Sequence, residues 1–225
     1  MDIDGREFYC INAALKAHGI GPVSHDFFLH NYYRRPFEIG TGPRMVLEIA
    51  IEGKNVEPER VYETYRRLFG ETVDRAKLQK GATKVLRFLK SKGLKVGVAT
   101  MRFTRSVVDS EFQSFGVEPL IDTLLTREDL GLKRTLSSLE ETVEQRVRLV
   151  SKVLEKLCLS AGEAFLVGDS WWDIRAGKKL KMRTVLVKTG FSLHSDFSSE
   201  KPDLALGSLE ELEAAVREKG WMSAH

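Results

Sequence analysis

The chain has 225 residues, 42% hydrophobic and 30% charged, a composition that supports a packed core and excludes a disordered chain. Thirty-five Lys and Arg against 32 Asp and Glu leave a formal charge of +3, which argues against a nucleic-acid or membrane partner. No apolar run approaches the roughly 18 residues that span a bilayer. The opening MDIDGREFYC lacks the basic-then-apolar order of a secretory signal, and Cys10 and Cys158 are too few for a disulfide framework. The expectation is a cytoplasmic protein with one large domain, or a domain carrying an insertion.

In chain order, REFYCINAALKAHG places Phe8, Ile11 and Leu15 on one helical face and stops at Gly19. MVLEIAIEG (45–53) reads as a buried helix, with a strand left possible by Ile49 and Ile51. PERVYETYRRLFG (58–70) is bounded by Pro and Gly as a helix should be. From about residue 80 helices and strands alternate. A helix at 81–93 precedes a strand at 94–100, and a helix at 104–115 precedes a strand at 119–126. A long helix fills 139–157. Then come a strand at 163–169, a helix at 172–181 and a strand at 183–188, with a short strand at 203–206. Ser208 and Glu211 have capping-box spacing for a last helix. Continuous apolar strands between amphipathic helices predict a doubly wound, Rossmann-like parallel sheet with a helical insertion near the N-terminus.

Ligands of such sheets bind beyond the carboxyl ends of the strands. LVGDSWWDI puts Asp169 at a strand tip and Asp173 four residues later, with Gly168 to let the backbone turn. Two carboxylates converging there suit a hard, oxygen-liganded cation such as Mg²⁺. The competing reading is that Asp169 or Ser170 caps the next helix and Asp173 merely favours its first turn. Trp171 and Trp172 follow directly, one a candidate for the pocket mouth and the other for the core.

Three pieces, KGATKVLRFLKSKGLKVGVAT, FGVEPLIDTLLTREDLGLK and KVLEKLCLSAGEAFLVGDSWWDIRAGKKLKMRTVLV, together resemble the haloacid-dehalogenase-like hydrolase superfamily in order and spacing. The resemblance implies an α/β core at 81–225, a helical cap at 6–80, and a Mg²⁺-dependent phosphatase acting on a small phosphorylated metabolite. It implies that Asp169 and Asp173 hold the metal and that Thr100, the second motif, bonds a phosphoryl oxygen, although Met101 stands where Asn often follows. For the basic third motif it implies Lys133 in DLGLKR, with Arg146 as the rival. In the cap, His25, His30, Tyr32, Tyr33, Arg34, Arg35 and Arg44 form a polar and aromatic cluster suited to an anionic substrate or to a solvated surface.

The family's first motif is a strand followed by DxDGT. Asp2-Ile3-Asp4-Gly5 fits its letters, with Arg6 in place of Thr. That makes Asp2 the candidate nucleophile and metal ligand and Asp4 the candidate acid/base. A gapless match instead sets MDIDG after the motif, with the nucleophile strand upstream of the given sequence. On that reading Asp2 and Asp4 lie on the approach to the first cap helix, and the sheet shows a gap beside strand 94–100. Two other functions remain open: dehalogenation of a 2-haloacid, and non-catalytic binding by a relative without the nucleophile strand.

Overall fold

The computed structural model describes residues 4–34, 42–132, 138–194 and 201–221. The chain divides into two compact units, Met1–Lys77 with Ser137–Leu139, and Leu78–Leu136 with Glu140–His225. Among the described residues no helix is long and apolar enough to cross a membrane.

The first unit is helical. It contains α1 (Asp4–Ala17), α2 (His25–Leu29) running into a π-helical turn (His30–Arg34), α3 (Pro43–Ala50) and α4 (Pro58–Glu71). On α1, Cys10, Ile11, Ala14 and Leu15 are fully buried at helical spacing, and α1 packs on α4, where Val61 and Tyr65 are buried. The segment left between helix and strand is helix α3. Pro43 lies in its first turn, and its buried Val46 and Leu47 form the inward face. Gly70 does not end α4, which runs through Glu71 and closes on the Thr72 N–H to Leu68 O bond. Two buried charges are satisfied inside this unit. Glu7 accepts from the hydroxyls of Tyr32 and Tyr65, while Arg6 donates to Phe69 O and Thr72 Oγ1 and lies over the Phe69 ring.

The second unit alternates helix and strand, in the order α5 (Ala82–Ser91), β1 (Gly97–Ala99), α6 (Arg105–Ser114), β2 (Thr123–Leu125), α7 (Leu139–Leu157) and β3 (Phe165–Gly168). It continues with α8 (Trp171–Lys179), β4 (Arg183–Val187), α9 (Phe191–His194), β5 (Leu204–Leu206) and α10 (Leu212–Glu218). All strand pairings are parallel. Side chains alternate across the sheet as the pleat requires. Val185 and Val187 pack with Leu206 against Val85 of α5 and Leu212 and Val216 of α10. Thr184 points the other way, against Gly177 of α8. Helices therefore cover both faces, giving an α/β Rossmann-like core accompanied by a helical cap unit.

The strands form two sheets, β1-β2 and β3-β4-β5, and among the described residues no pairing joins β1 to β3. Among the described residues a gap stands beside strand 94–100, where one was expected. Helix α7 spans it: Ala99 of β1 and Leu166 of β3 both pack on the cluster of Val150, Leu154 and Met182. Burial follows the pairing. Thr184 to Val187 of β4, paired on both sides, are all buried, whereas β3 is half-buried throughout and β1 runs from exposed Gly97 to half-buried Ala99. Among the described residues each of the latter two strands has one unpaired edge.

The last helix departs from the expected capping box. Ser208 Oγ accepts from the Glu210 N–H at 3.2 Å, and the Glu211 carboxylate takes the Gly207 N–H. The segment first makes a 3₁₀ turn, Leu209–Glu211, whose tighter winding brings Glu210 rather than Glu211 over the cap.

Candidate active site

The site is built from the turn between β3 and α8. Ser170 is the N-cap of α8, in extended backbone, and its Oγ accepts from the Asp173 N–H. The Asp173 carboxylate returns the bond, accepting the Ser170 N–H at 3.1 Å and the Ser170 hydroxyl on Oδ2. This reciprocal capping box satisfies two of the donors that a helix start leaves orphaned. It also requires glycine at 168, because a Cβ there would overlap the Asp173 carboxylate. The capping reading of Ser170 and Asp173 is thus realised in the structure.

Asp173 has a second partner. Its Oδ1 is ion-paired to Nη1 of Arg146, which reaches in from the middle of α7 with a side chain only 15% exposed. Burial pulls the Arg146 guanidinium down to about 10. Asp169 counteracts that by attraction, and Arg127 adds to it by repulsion. Asp169 itself is raised from the usual carboxylate range by burial, and Arg146 and the backbone N–H groups of Asp169 and Phe191 only partly offset this. A Cβ at Gly190 would strike Asp169 Oδ2, so the loop after β4 closes tightly on the carboxylate. The sequence reading missed Gly190 and Phe191, and their one signal was the TGF run at the tip of β4.

The structure thus brings Asp169, Ser170, Asp173 and Arg146 together. Thr100 directly follows β1, donating its N–H to Leu125 O at 2.9 Å and accepting the Arg102 N–H on Oγ1 at 3.3 Å. Thr126, at the tip of β2, is fully buried and locally satisfied by Asp129. Trp171 and Trp172 are both buried, edge to face at 5.2 Å, so neither lines an open mouth. Lys133 and Asp2 lie outside the described residues, as does Arg35. Asp4 opens α1 and accepts from the Tyr33 hydroxyl. Within the cap cluster, Tyr32 and Tyr33 are buried and Arg44 pairs with Glu48 and Glu59.

The donor chemistry at this turn suits Mg²⁺ only in part. Asp169 fits, because a half-buried carboxylate whose charge is disfavoured by desolvation gains from an adjacent cation. Asp173 has both oxygens engaged, by Ser170 and by Arg146. Among the described residues no group of three or more His, Cys, Asp or Glu side chains is placed to hold an ion.

A family model for haloacid dehalogenase-like hydrolases matches residues 36–187. Pyrophosphatase PpaX of Bacillus cereus is 26% identical over 193 residues, covering 86% of this chain and 74% of that protein. Among solved structures, one described as a predicted phosphoglycolate phosphatase from Haemophilus somnus is similar with a TM-score of 0.75 at 18% identity. It covers 93% of this chain and 90% of that one. CbbY from Rhodobacter sphaeroides, solved with phosphate, is similar with a TM-score of 0.67 at 15% identity, covering 94% and 90%. The match over most of the chain, on an α/β core with its acidic turn at the tip of β3, places this protein in the haloacid dehalogenase-like hydrolase family.

Proposed function

We propose that the protein is a Mg²⁺-dependent phosphatase of small phosphomonoesters that works through an aspartyl-phosphate, with residues 6–80 as cap and 81–225 as catalytic core. The observation that carries this reading is the half-buried Asp169 at the tip of β3, whose charge is favoured by the guanidinium of Arg146. An acid and a base at one strand end suit a reaction whose catalysis is mostly charge placement. The names of the relatives point the same way: a pyrophosphatase, a phosphoglycolate phosphatase and a protein holding phosphate.

In this reading Asp169 holds the metal, with Asp173 behind it. When bound, Mg²⁺ would supply positive charge to the phosphoryl oxygens and ease the approach of an anionic nucleophile. Thr100 Oγ1 accepts the Arg102 N–H, and its own O–H donates to a phosphoryl oxygen. Lys133 or Arg146 neutralises the remaining charge. An aspartate oxygen forms a bond to phosphorus as the ester P–O bond breaks, and a neighbouring carboxylic acid protonates the departing alkoxide. Water then attacks the aspartyl-phosphate, its proton passing to the same carboxylate, and phosphate and free aspartate result.

The letters DxDG offer Asp2 as nucleophile, which would make it a metal ligand, and Asp4 as acid/base. The edges of β1 and β3 that are unpaired among the described residues favour a second reading, in which the nucleophile sits on a strand between them and Asp4 belongs to the cap helix with Tyr33. A panel of phosphosugars, nucleotides and phosphoglycolate, assayed with and without Mg²⁺ on the wild type and Asp2→Asn, tests both points. Mg²⁺-dependent phosphate release is expected. Its absence across the panel defeats the phosphatase reading. Loss in Asp2→Asn assigns Asp2, and retention removes Asp2 from the nucleophile's role.

A further inference from the structure

Two carboxylates at one strand tip need a counter-charge, since burying either one without compensation is costly. The structure supplies it from within. Arg146 projects from α7 to the β3–α8 turn, 27 residues away in sequence, pairs with Asp173 Oδ1, and acts through space on Asp169. The pairing is one-armed. Nη1 holds Asp173, while Nε of Arg146 is buried with no hydrogen-bond partner. A guanidinium fixed for structural purposes usually engages its fork in two parallel bonds to the carboxylate, as Arg102 does here with Glu111. Arg146 instead leaves a donor unused in a buried place, and it sits beside a second guanidinium, Arg127, that disfavours its charge. It is held by electrostatic need more than by geometry.

We propose that Arg146 is an internal counter-cation for the Asp169–Asp173 pair, which a divalent cation entering at Asp169 must compete with and displace from Asp173. This rests on the reading of Asp169 as the metal ligand. A 2+ ion at Asp169 and a guanidinium on Asp173 repel across a poorly solvated turn, so the two occupy the acidic pair alternately. Released from Asp173, Arg146 has Nε and its terminal nitrogens available for an oxyanion, while Asp173 keeps its Ser170 bonds and its place in the cap. The acidic pair thus stays neutralised in the metal-free protein, and its affinity for the metal is set below what the two carboxylates alone would give.

Calorimetric titration of the full chain with MgCl₂ tests this on wild type, Arg146→Gln, Arg146→Lys and Asp169→Asn. The expectation is that Arg146→Gln binds Mg²⁺ at least about tenfold more tightly than wild type, and that Arg146→Lys, which keeps the charge, stays within about threefold. Thermal denaturation should show a less stable metal-free Arg146→Gln protein that gains more from Mg²⁺ than wild type does. Equal or weaker Mg²⁺ binding by Arg146→Gln overturns the proposal. Binding by Asp169→Asn as tight as by wild type would instead defeat the assignment of the metal to Asp169. Should Arg146→Gln not fold, the wild type still decides. The Arg146 Nε–H NMR signal, assigned by its loss in Arg146→Lys, must move with the midpoint of Mg²⁺ binding, and a signal unmoved at saturation overturns the proposal.

Discussion

Asp173 serves two structures at once. It completes the cap of α8 through Ser170 and carries the ion pair to Arg146, so its orientation is fixed before any ligand arrives. The dependence runs through Ser170, which is 1% exposed. Ser170→Ala removes the hydroxyl that caps α8 and a donor to Asp173 Oδ2, and should cost about 1–2 kcal/mol of stability. Chemical denaturation of the variant against wild type measures it, and an unchanged midpoint would mean that the cap contributes nothing. The acids of this turn were legible in the sequence because LVGDSWWDI puts a turn-forming glycine, a strand and a four-residue return in one short run. Their partner was not. Nothing local links Arg146 to Asp173, and the GLK run after strand 119–126 favoured Lys133 as the basic residue, with Arg146 offered only by the match of the helix that follows.

The elements show why some of the fold could be read and some could not. Helix α7 spans 139–157 as its apolar periodicity requires, with Leu149, Val153 and Leu157 on one cluster and Val150 and Leu154 on the next. The strands were found but drawn too long. The 94–100 segment pairs only over Gly97–Ala99, and 119–126 begins as a 3₁₀ turn at Glu118–Leu120 before β2. An apolar run marks burial, whereas strand length is set by how far a neighbour offers backbone partners. The split of the sheet was legible for a different reason. The resemblance sets MDIDG after the family's first motif, and among the described residues no pairing joins β1 to β3. The Ser208 box failed because sequence spacing does not distinguish an α-helical first turn from a 3₁₀ one.

At the scale of the whole molecule, the core unit is stitched by three aspartates that take both backbone and side-chain donors. Lys90 and the Val96 N–H hold Asp122 below its ordinary value of 3.8, and tie the approach to β1 to that of β2. Burial raises Asp129, but the Thr126 backbone and hydroxyl and Arg105 outweigh it and bring it below 3.8. Asp203 is likewise raised by burial and lowered further by Lys178 and Thr184, joining the approach to β5 to β4. A carboxylate whose folded pKa lies below its unfolded one contributes stability that is complete above the unfolded value and is lost as pH falls through the folded value. Asp169 runs the other way. Its raised pKa makes its charge a cost above 3.8, and protonation relieves that cost. Three against one, the denaturation midpoint should hold between about pH 5 and 8 and fall below about pH 4. A midpoint that rises on acidification would mean that Asp169 outweighs the stitching.

We propose that this family fold carries a working phosphoryl-transfer site organised on Asp169. The most direct measurement is phosphate release by Asp169→Asn, compared with wild type across a Mg²⁺ titration and on the best substrate of the panel. Circular dichroism should confirm the fold. The expected result is a folded variant whose Mg²⁺-dependent rate falls by at least about a hundredfold, because the charge that stabilises the transition state is removed. A folded variant with the wild-type rate and the wild-type Mg²⁺ dependence would contradict it.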